Sequence, residues 1–246
     1  MIAVVTDSSS DLPPEVAASH DVGVVPLTVR FGDEVLTDRV ELDTPTFWSR
    51  LATSEHLPET AAPSPGAFME TFAGLGPVEG IVCICISSEL SGTYQAALLA
   101  AEQSSVPVRV IDSRVVSMAL GLATLAASDV AQSGGTLEEV AAAGHGATRR
   151  ANVFAALDIK PIITLNDGVV AAAGRVRTRS KAVTTVAAHV AGKDLSHLAL
   201  IHSGGVGVSD LAASLLTHRD TIVAELGPVV GTHTGPGVIG VAYVEN

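Results

Sequence analysis

The sequence predicts a two-domain α/β protein, with a parallel-sheet α/β domain over residues 1–150 and a mixed-sheet α+β domain over residues 151–246. Three observations predict it. Between Gly80 and Gln132, short apolar runs alternate with alanine- and leucine-rich stretches, the strand–helix–strand–helix pattern of a parallel sheet covered by helices. After about residue 150 the pattern changes to hairpins mixed with helices. The 246 residues are 47% hydrophobic and 16% charged, with a mean hydropathy of +0.42, so the chain folds around a core of its own and is not disordered.

The elements follow in order. Ile2–Thr6 is a strand ending in Asp7-Ser8-Ser9-Ser10-Asp11, and Pro13-Pro14 opens a helix. Val22–Phe31 and Val35–Leu42 read as strands joined at Gly32-Asp33, and Thr44-Pro45 begins a helix through Leu51. The proline-rich stretch Ser54–Gly66 reads as an irregular loop, with Ser64-Pro65 as cap and first turn of a helix over Ala67–Ala73. Gly80–Ile86 is a buried strand, Thr93–Gln103 a helix, Val108–Asp112 a strand, and Val115–Gln132 a helix. Gly134-Gly135 breaks the chain, and Thr136 with Glu139 offers a capping box. In the second domain, Ile162–Leu165 and Val169–Ala173 form a hairpin around Asp167-Gly168. A helix over Ser180–Val190, a strand over Leu198–His202 and a helix over Ser209–Thr217 follow, then strands over Thr221–Glu225, Val229–His233 and Val238–Val244.

Composition narrows the function. Fourteen basic against 26 acidic residues give a net charge of −12, which disfavours a nucleic-acid backbone or an anionic membrane surface. No run approaches the roughly 20 apolar residues of a membrane span. Met1–Ser10 lacks the basic start of a signal peptide, and a cytoplasmic protein is expected. Cys83 and Cys85 share one face of a strand and read as buried free thiols. With only eight aromatic residues, the interior is filled by short aliphatic side chains that either pack tightly or line a smooth cavity.

Three polar loops interrupt the apolar pattern: Thr60–Ser64, Ser87–Thr93 and Thr232–Gly237. The second delivers hydroxyls to a helix N-terminus, where free N–H groups favour an anion, although on this motif alone Ser91 or Thr93 as a cap of the helix is the favoured reading. His233, on a Gly-Pro-Gly bend, is either a solvated histidine or an anion partner. Ser91 with His233 raises a serine-dependent lipid hydrolase as the alternative, but the surrounding residues are not a G-x-S-x-G elbow and no acidic orienter is evident. Gly204–Ser209 follows a strand and precedes a helix without matching a nucleotide-binding pattern, so Ser209 reads as an N-cap. No histidine pair has metal-ligand spacing. Arg175, Arg177, Arg179 and Lys181 alternate, share one face if extended, and form either a solvated corner or an anion site.

Six motifs in register carry a resemblance: Val5–Leu12 (VTDSSSDL), Ile86–Tyr94 (ISSELSGTY), Val110–Ser113 (VIDS), Ile159–Gly168 (IKPIITLNDG), Arg175–Lys181 (RVRTRSK) and His233–Tyr243 (HTGPGVIGVAY). They resemble the DegV family, which is similar to the fatty-acid-binding subunit of bacterial fatty acid kinase. The resemblance implies a DegV-like fold holding a long-chain fatty acid between the two domains. It also implies presentation of the carboxylate to a separate ATP-dependent fatty acid kinase subunit, whose acyl phosphate serves phospholipid synthesis. No cofactor, metal or catalysis of the chain's own is implied. Carried over residue by residue, Thr60, Ser91 and His233 hold the carboxylate, Gly92, Thr93 and Ser64 are secondary contacts, and Arg177 works with the kinase. The family's T-S-x-P-S loop is here Thr60-Ala61-Ala62-Pro63-Ser64, which lacks one hydroxyl. The family also has a Leu-rich helix and a Gly-Gly-Arg-Ile motif where Phe154–Leu157 here runs straight into Asp158–Pro161. This is either a real deletion or a stretch absent from the sequence, and a loss of that size would remove structure at the domain junction.

Overall fold

Apolar runs without polar alternation need cover on both faces, and the first of them build the parallel sheet. A computed structural model of the chain describes residues 1–157, 161–204, 207–215 and 221–246. Strands β1 (Ile2–Asp7), β2 (Val22–Val25), β6 (Gly80–Cys85) and β7 (Val108–Asp112) form a four-stranded parallel sheet in the order β2-β1-β6-β7. Strands β3 (Thr28–Phe31), β4 (Glu34–Thr37) and β5 (Glu59–Ala61) make a small antiparallel sheet in the order β4-β3-β5. The third sheet is mixed and runs β10-β9-β8-β13-β11-β12, from β8 (Ala151–Ala156), β9 (Pro161–Asn166), β10 (Val169–Arg175), β11 (Leu195–His202), β12 (Ile222–Glu225) and β13 (Ile239–Glu245). This is the predicted fold class, a parallel-sheet part followed by a mixed-sheet part.

Helices cover the sheets: α1 (Pro14–Ser19), α2 (Thr44–Thr53), α3 (Pro65–Gly74), α4 (Thr93–Ala101), α5 (Met118–Gln132), α6 (Leu137–Thr148), α7 (Arg179–Ala188), α8 (Val208–Leu215) and α9 (Pro228–Thr234). The predicted caps form. Ser64 accepts from Ala67 N at the start of α3, and Thr136 and Glu139 close a reciprocal capping box on α6. Helix α5 is buried on almost every side because it packs against β1 of the parallel sheet and against β8, β11 and β13 of the mixed one. Cys83 and Cys85 are buried free thiols with sulfur atoms 3.7 Å apart.

Several expected elements differ. The strand predicted over Val22–Phe31 divides at Pro26-Leu27, because Pro26 has no N–H and Leu27 N donates to Ser8 Oγ at 3.0 Å. β4 stops at Thr37, whose carbonyl accepts from Val40, Glu41 and Leu42 N and turns the chain with Arg39 at φ 64°. The loop predicted over Ser54–Gly66 contains β5, which pairs with Val29 through Thr60. Val229–His233 is helical, not a strand: Pro228 occupies the first helical turn, and the apolar face of α9 packs on Phe47 and Trp48. A Cβ on Gly231 would lie 2.7 Å from Phe47 and 2.9 Å from Trp48, so a glycine allows this close packing. Ser209 lies inside α8 and does not cap it. Arg175–Lys181 is not one extended face, since β10 ends at Arg175 and α7 begins at Arg179. Asp158, Ile159 and Lys160, Gly205 and Val206 of the glycine-rich loop, and the predicted helix end at Leu216 and Thr217 lie outside the described residues.

Where the resemblance expects a longer segment, β8 and β9 are adjacent antiparallel strands, and Leu157 N donates to Pro161 O at 3.1 Å.

Candidate functional site

In the parallel sheet, β1 and β6 are neighbours whose onward connections diverge, β1 leading to β2 on one side and β6 to β7 on the other. Their carboxyl ends bound the crevice where open α/β sheets bind ligands. Both ends are hydroxyl-rich. Asp7 caps the turn Ser8–Ser10, accepts from Ser9 N at 3.0 Å, and reaches across to accept from Ile86 N at 2.8 Å. The loop after β6 thus starts from a fixed point, and it carries Ser91 and Gly92.

Thr60 arrives on β5 and His233 on the last turn of α9, and Thr60 Oγ1 lies 2.9 Å from His233 Nε2. Ser91 Oγ lies 2.8 Å from Thr93 Oγ1 and accepts from Thr93 N at 3.3 Å. Gly92, not a hydroxyl residue, is the N-cap of α4. Thr60, Ser91, Gly92 and His233 line one cavity of about 560 Å³. Thr93 is buried behind Ser91, and Ser64 is occupied as the cap of α3; neither lines the cavity. Arg177 sits in the exposed bend between β10 and α7, also away from it.

The remaining wall is mainly aliphatic and comes from the mixed sheet, from α9 and from loops that follow the parallel strands, such as Ile86 after β6 and Leu27 after β2. Val153 and Ala155 of β8, Ile163 of β9, Ile201 of β11 and Val230 of α9 line it. Among the described residues no Phe, Tyr or Trp side chain lines it, so few-aromatic composition here makes a smooth cavity. Polar atoms gather at the rim formed by β5, the Ser91 loop and α9, where His233 and Gly92 are exposed and Thr60 and Ser91 half-buried. Such a cavity accommodates a molecule with a polar head and an apolar body.

Behind the wall lies a polar cluster that sequence reasoning missed. Ser117, buried and lining the cavity, has φ 59° and ψ −150°, a region normally left to glycine. Its hydroxyl donates to Asp11 Oδ2 at 2.6 Å, while Asp11 Oδ1 accepts from Gly227 N, at the start of α9, at 2.9 Å. Burial pushes the Asp11 carboxyl up to about 7, against the pull of these two donors and of Arg39. Burial likewise raises Asp38 to about 6 and raises Asp7. No short-range pattern marks these pairings, because they join residues far apart in the chain.

The hydrolase alternative lacks its geometry. The Ser91 hydroxyl pairs with Thr93 and the imidazole with Thr60, so the serine–imidazole hydrogen bond of a nucleophilic pair is absent. Among the described residues, no group of three or more His, Cys, Asp or Glu side chains could hold a metal ion, and no helix is long and apolar enough to cross a membrane.

Fold and site together define a two-part α/β protein built around an aliphatic cavity with one hydrogen-bonding rim. The chain belongs to the DegV family: the family model described as "Uncharacterised protein, DegV family" matches residues 1–154 and 148–246. A DegV domain-containing protein of Streptomyces coelicolor is 34% identical, over 98% of this chain and 97% of that protein. One from Deinococcus radiodurans is 33% identical over the same shares. The alignment with the first runs over 273 positions, more than the 246 residues here, so that relative has residues without counterparts in this chain. Among solved structures, a DegV family protein from Thermus thermophilus described for its fatty acid binding superposes with a TM-score of 0.89 at 28% identity, covering 100% of this chain and 99% of that one. The fold is shared equally with DegV from Bacillus subtilis, at a TM-score of 0.89 and 24% identity over 100% of this chain and 99% of that one.

Proposed function

We propose that this chain binds a long-chain fatty acid, its tail in the aliphatic cavity between the parts formed by residues 1–150 and 151–246 and its carboxylate at Thr60, Ser91 and His233. The observation that carries the reading is the Thr60–His233 pair on the rim of an otherwise apolar cavity. The fatty acid binding described for the Thermus thermophilus relative supports it. Energetics supports it too. At about 0.8 kcal/mol per buried methylene, a sixteen-carbon tail offers on the order of 10 kcal/mol before ordering costs. Head-group hydrogen bonds add only roughly 1–3 kcal/mol each, so the tail supplies the affinity and the rim fixes which end faces out.

The rim is open to solvent, so the carboxylate is presented outward. In this reading the chain is a cytoplasmic carrier that offers the carboxylate to an ATP-dependent kinase subunit, with exposed Arg177 facing that subunit, and turns over nothing alone. Native mass spectrometry of the purified protein, with solvent extraction, tests the binding: one fatty acid per chain is expected. A protein that is empty and also rejects added oleate and palmitate would overturn it. Acyl phosphate formed by a cognate kinase only when the loaded chain is present tests the carrier role.

A further inference from the structure

The hairpin of β9 and β10 reaches past the sheet that carries it. β9 pairs with β8 only over Ile162–Thr164, so Leu165, Asn166 and the Asp167-Gly168 turn have no neighbouring strand except β10. β10 is the edge strand and is exposed along almost its whole length. Yet the overhang gives Leu165 and Val170 to the cavity wall, beside Leu90 of the Ser91 loop. Val170 and Leu90 are 51% and 38% exposed, which places them at the mouth.

The tip of the overhang is held by two side chains, Arg114 at its exposed side and Ser87 beneath it. Arg114 Nη1 donates to Glu89 Oε1 at 3.0 Å, and its Nη2 lies 3.1 Å from Asp167 Oδ1 and donates to the Asp167 carbonyl. The Arg114 backbone N–H donates to Asp112 Oδ1 at 3.1 Å, and the same oxygen accepts from Ser88 N at 3.0 Å. Ser87 Oγ adds a bond to Gly168 O at 2.8 Å. Gly168, at φ 82°, leaves room for this: a Cβ there would lie 2.6 Å from Ser87 Oγ and 2.8 Å from Arg114 Nε.

We propose that the hairpin is the moving leaf of a gate over the cavity and that Arg114 is its bolt, fastening the tip to the Ser87–Gly92 loop. The bolt is made to be drawn. Glu89 and Asp167 are 49% and 91% exposed, and charge pairs in such surroundings hold weakly and are screened by salt. The register shift between Ala172 and Gly174 supplies a hinge on the exposed strand. When closed, the bolt also sets the loop that carries Ser91, which makes Arg114 a positioning residue for the carboxylate site. Loading and release of the tail then proceed through the open leaf, while β8 and α9 stay in place. This inference rests on the fatty-acid reading.

Stopped-flow displacement of a fluorescent fatty acid by excess oleate tests it, comparing wild type, Arg114→Gln and Asp167→Asn. Asn tolerates the left-handed turn position, so the second variant keeps the hairpin fold. Release is expected to quicken about fivefold to tenfold in Arg114→Gln and less in Asp167→Asn, with loading accelerated in step. The gap between wild type and variants should close at high salt, which a merely structural role of Arg114 would not produce. Amide hydrogen exchange of ligand-free protein should quicken at Leu165–Val170 in Arg114→Gln. Unchanged release and unchanged exchange would overturn the gate. If oleate does not bind at all, the fatty-acid reading fails, and exchange at the hairpin still decides whether Arg114 holds the leaf.

Discussion

Thr60 Oγ1 and His233 Nε2 lie 2.9 Å apart although 173 positions separate them in the chain. A three-residue strand and the last turn of a short helix bring them together, and each depends on other contacts for its place: Thr60 on pairing with Val29, and His233 on α9 packed against Phe47 and Trp48. If the pair grips one carboxylate, the two side chains act as a unit. Thr60→Val and His233→Ala should each weaken fatty acid binding about tenfold, and the double variant should lose less than the product of the two. Calorimetric titration with palmitate reads this directly, and additive losses would separate the two roles.

Ser91→Ala removes a hydroxyl from the rim without touching the core, since Gly92 and not Ser91 is the N-cap of α4. Binding should weaken about fivefold, with the melting temperature changed by only a few degrees. In the wild type, a fluorophosphonate should leave Ser91 unlabelled, because no imidazole is hydrogen-bonded to it. Labelling at Ser91 would revive the hydrolase.

Much of this site was legible in the residues, though unevenly. The parallel sheet announced itself through uninterrupted runs such as Gly80–Cys85, buried at every position, and the hairpin through Asp167-Gly168, both at positive φ. The hydroxyl loops stood out by their contrast with the apolar strands before them. Helix α9 was hidden because Val229, Val230 and Thr232 favour strands, and only packing on Phe47 and Trp48 overrides that preference. β5 was hidden because three residues carry no period, and its existence depends on the edge of β3. The bond of Asp11 to Gly227 spans 216 positions and leaves no local trace at all.

Burial of the Asp11 carboxyl and its neighbours, against the pull of that bond, gives the protein a pH dependence of definite sign. The carboxyls of Asp11 and Asp38 are raised to about 7 and about 6 in the folded chain, and that of Asp7 is raised as well. From the ordinary carboxylate value up to the folded one, the folded state binds more protons than the unfolded state. Stability is therefore expected to fall as pH rises from about 4 to about 7. Urea unfolding across that range measures it. Asp11→Asn should flatten the slope near neutrality, since the amide carries no titrating proton and leaves no charge to bury. An unchanged slope would place the proton elsewhere.

The cavity itself can be filled from within. Ala155 lies on β8, lines the cavity, and is 8% exposed, with Ile163 of β9 beside it in the sheet. Ala155→Phe would push a ring into the space assigned to the tail. In a close-packed core such a substitution costs about 1–3 kcal/mol of strain, but here the ring has an open volume to occupy, so the fold should tolerate it. Fatty acid binding should fall by at least about a hundredfold, because a phenyl group displaces several methylenes worth about 0.8 kcal/mol each. The rim residues Thr60, Ser91 and His233 remain as they were, so a variant that folds normally, yet rejects palmitate, assigns the affinity to the aliphatic wall. If Ala155→Phe binds palmitate as tightly as wild type, the tail runs along another path, and the hydrogen-bonding rim alone would not define the ligand.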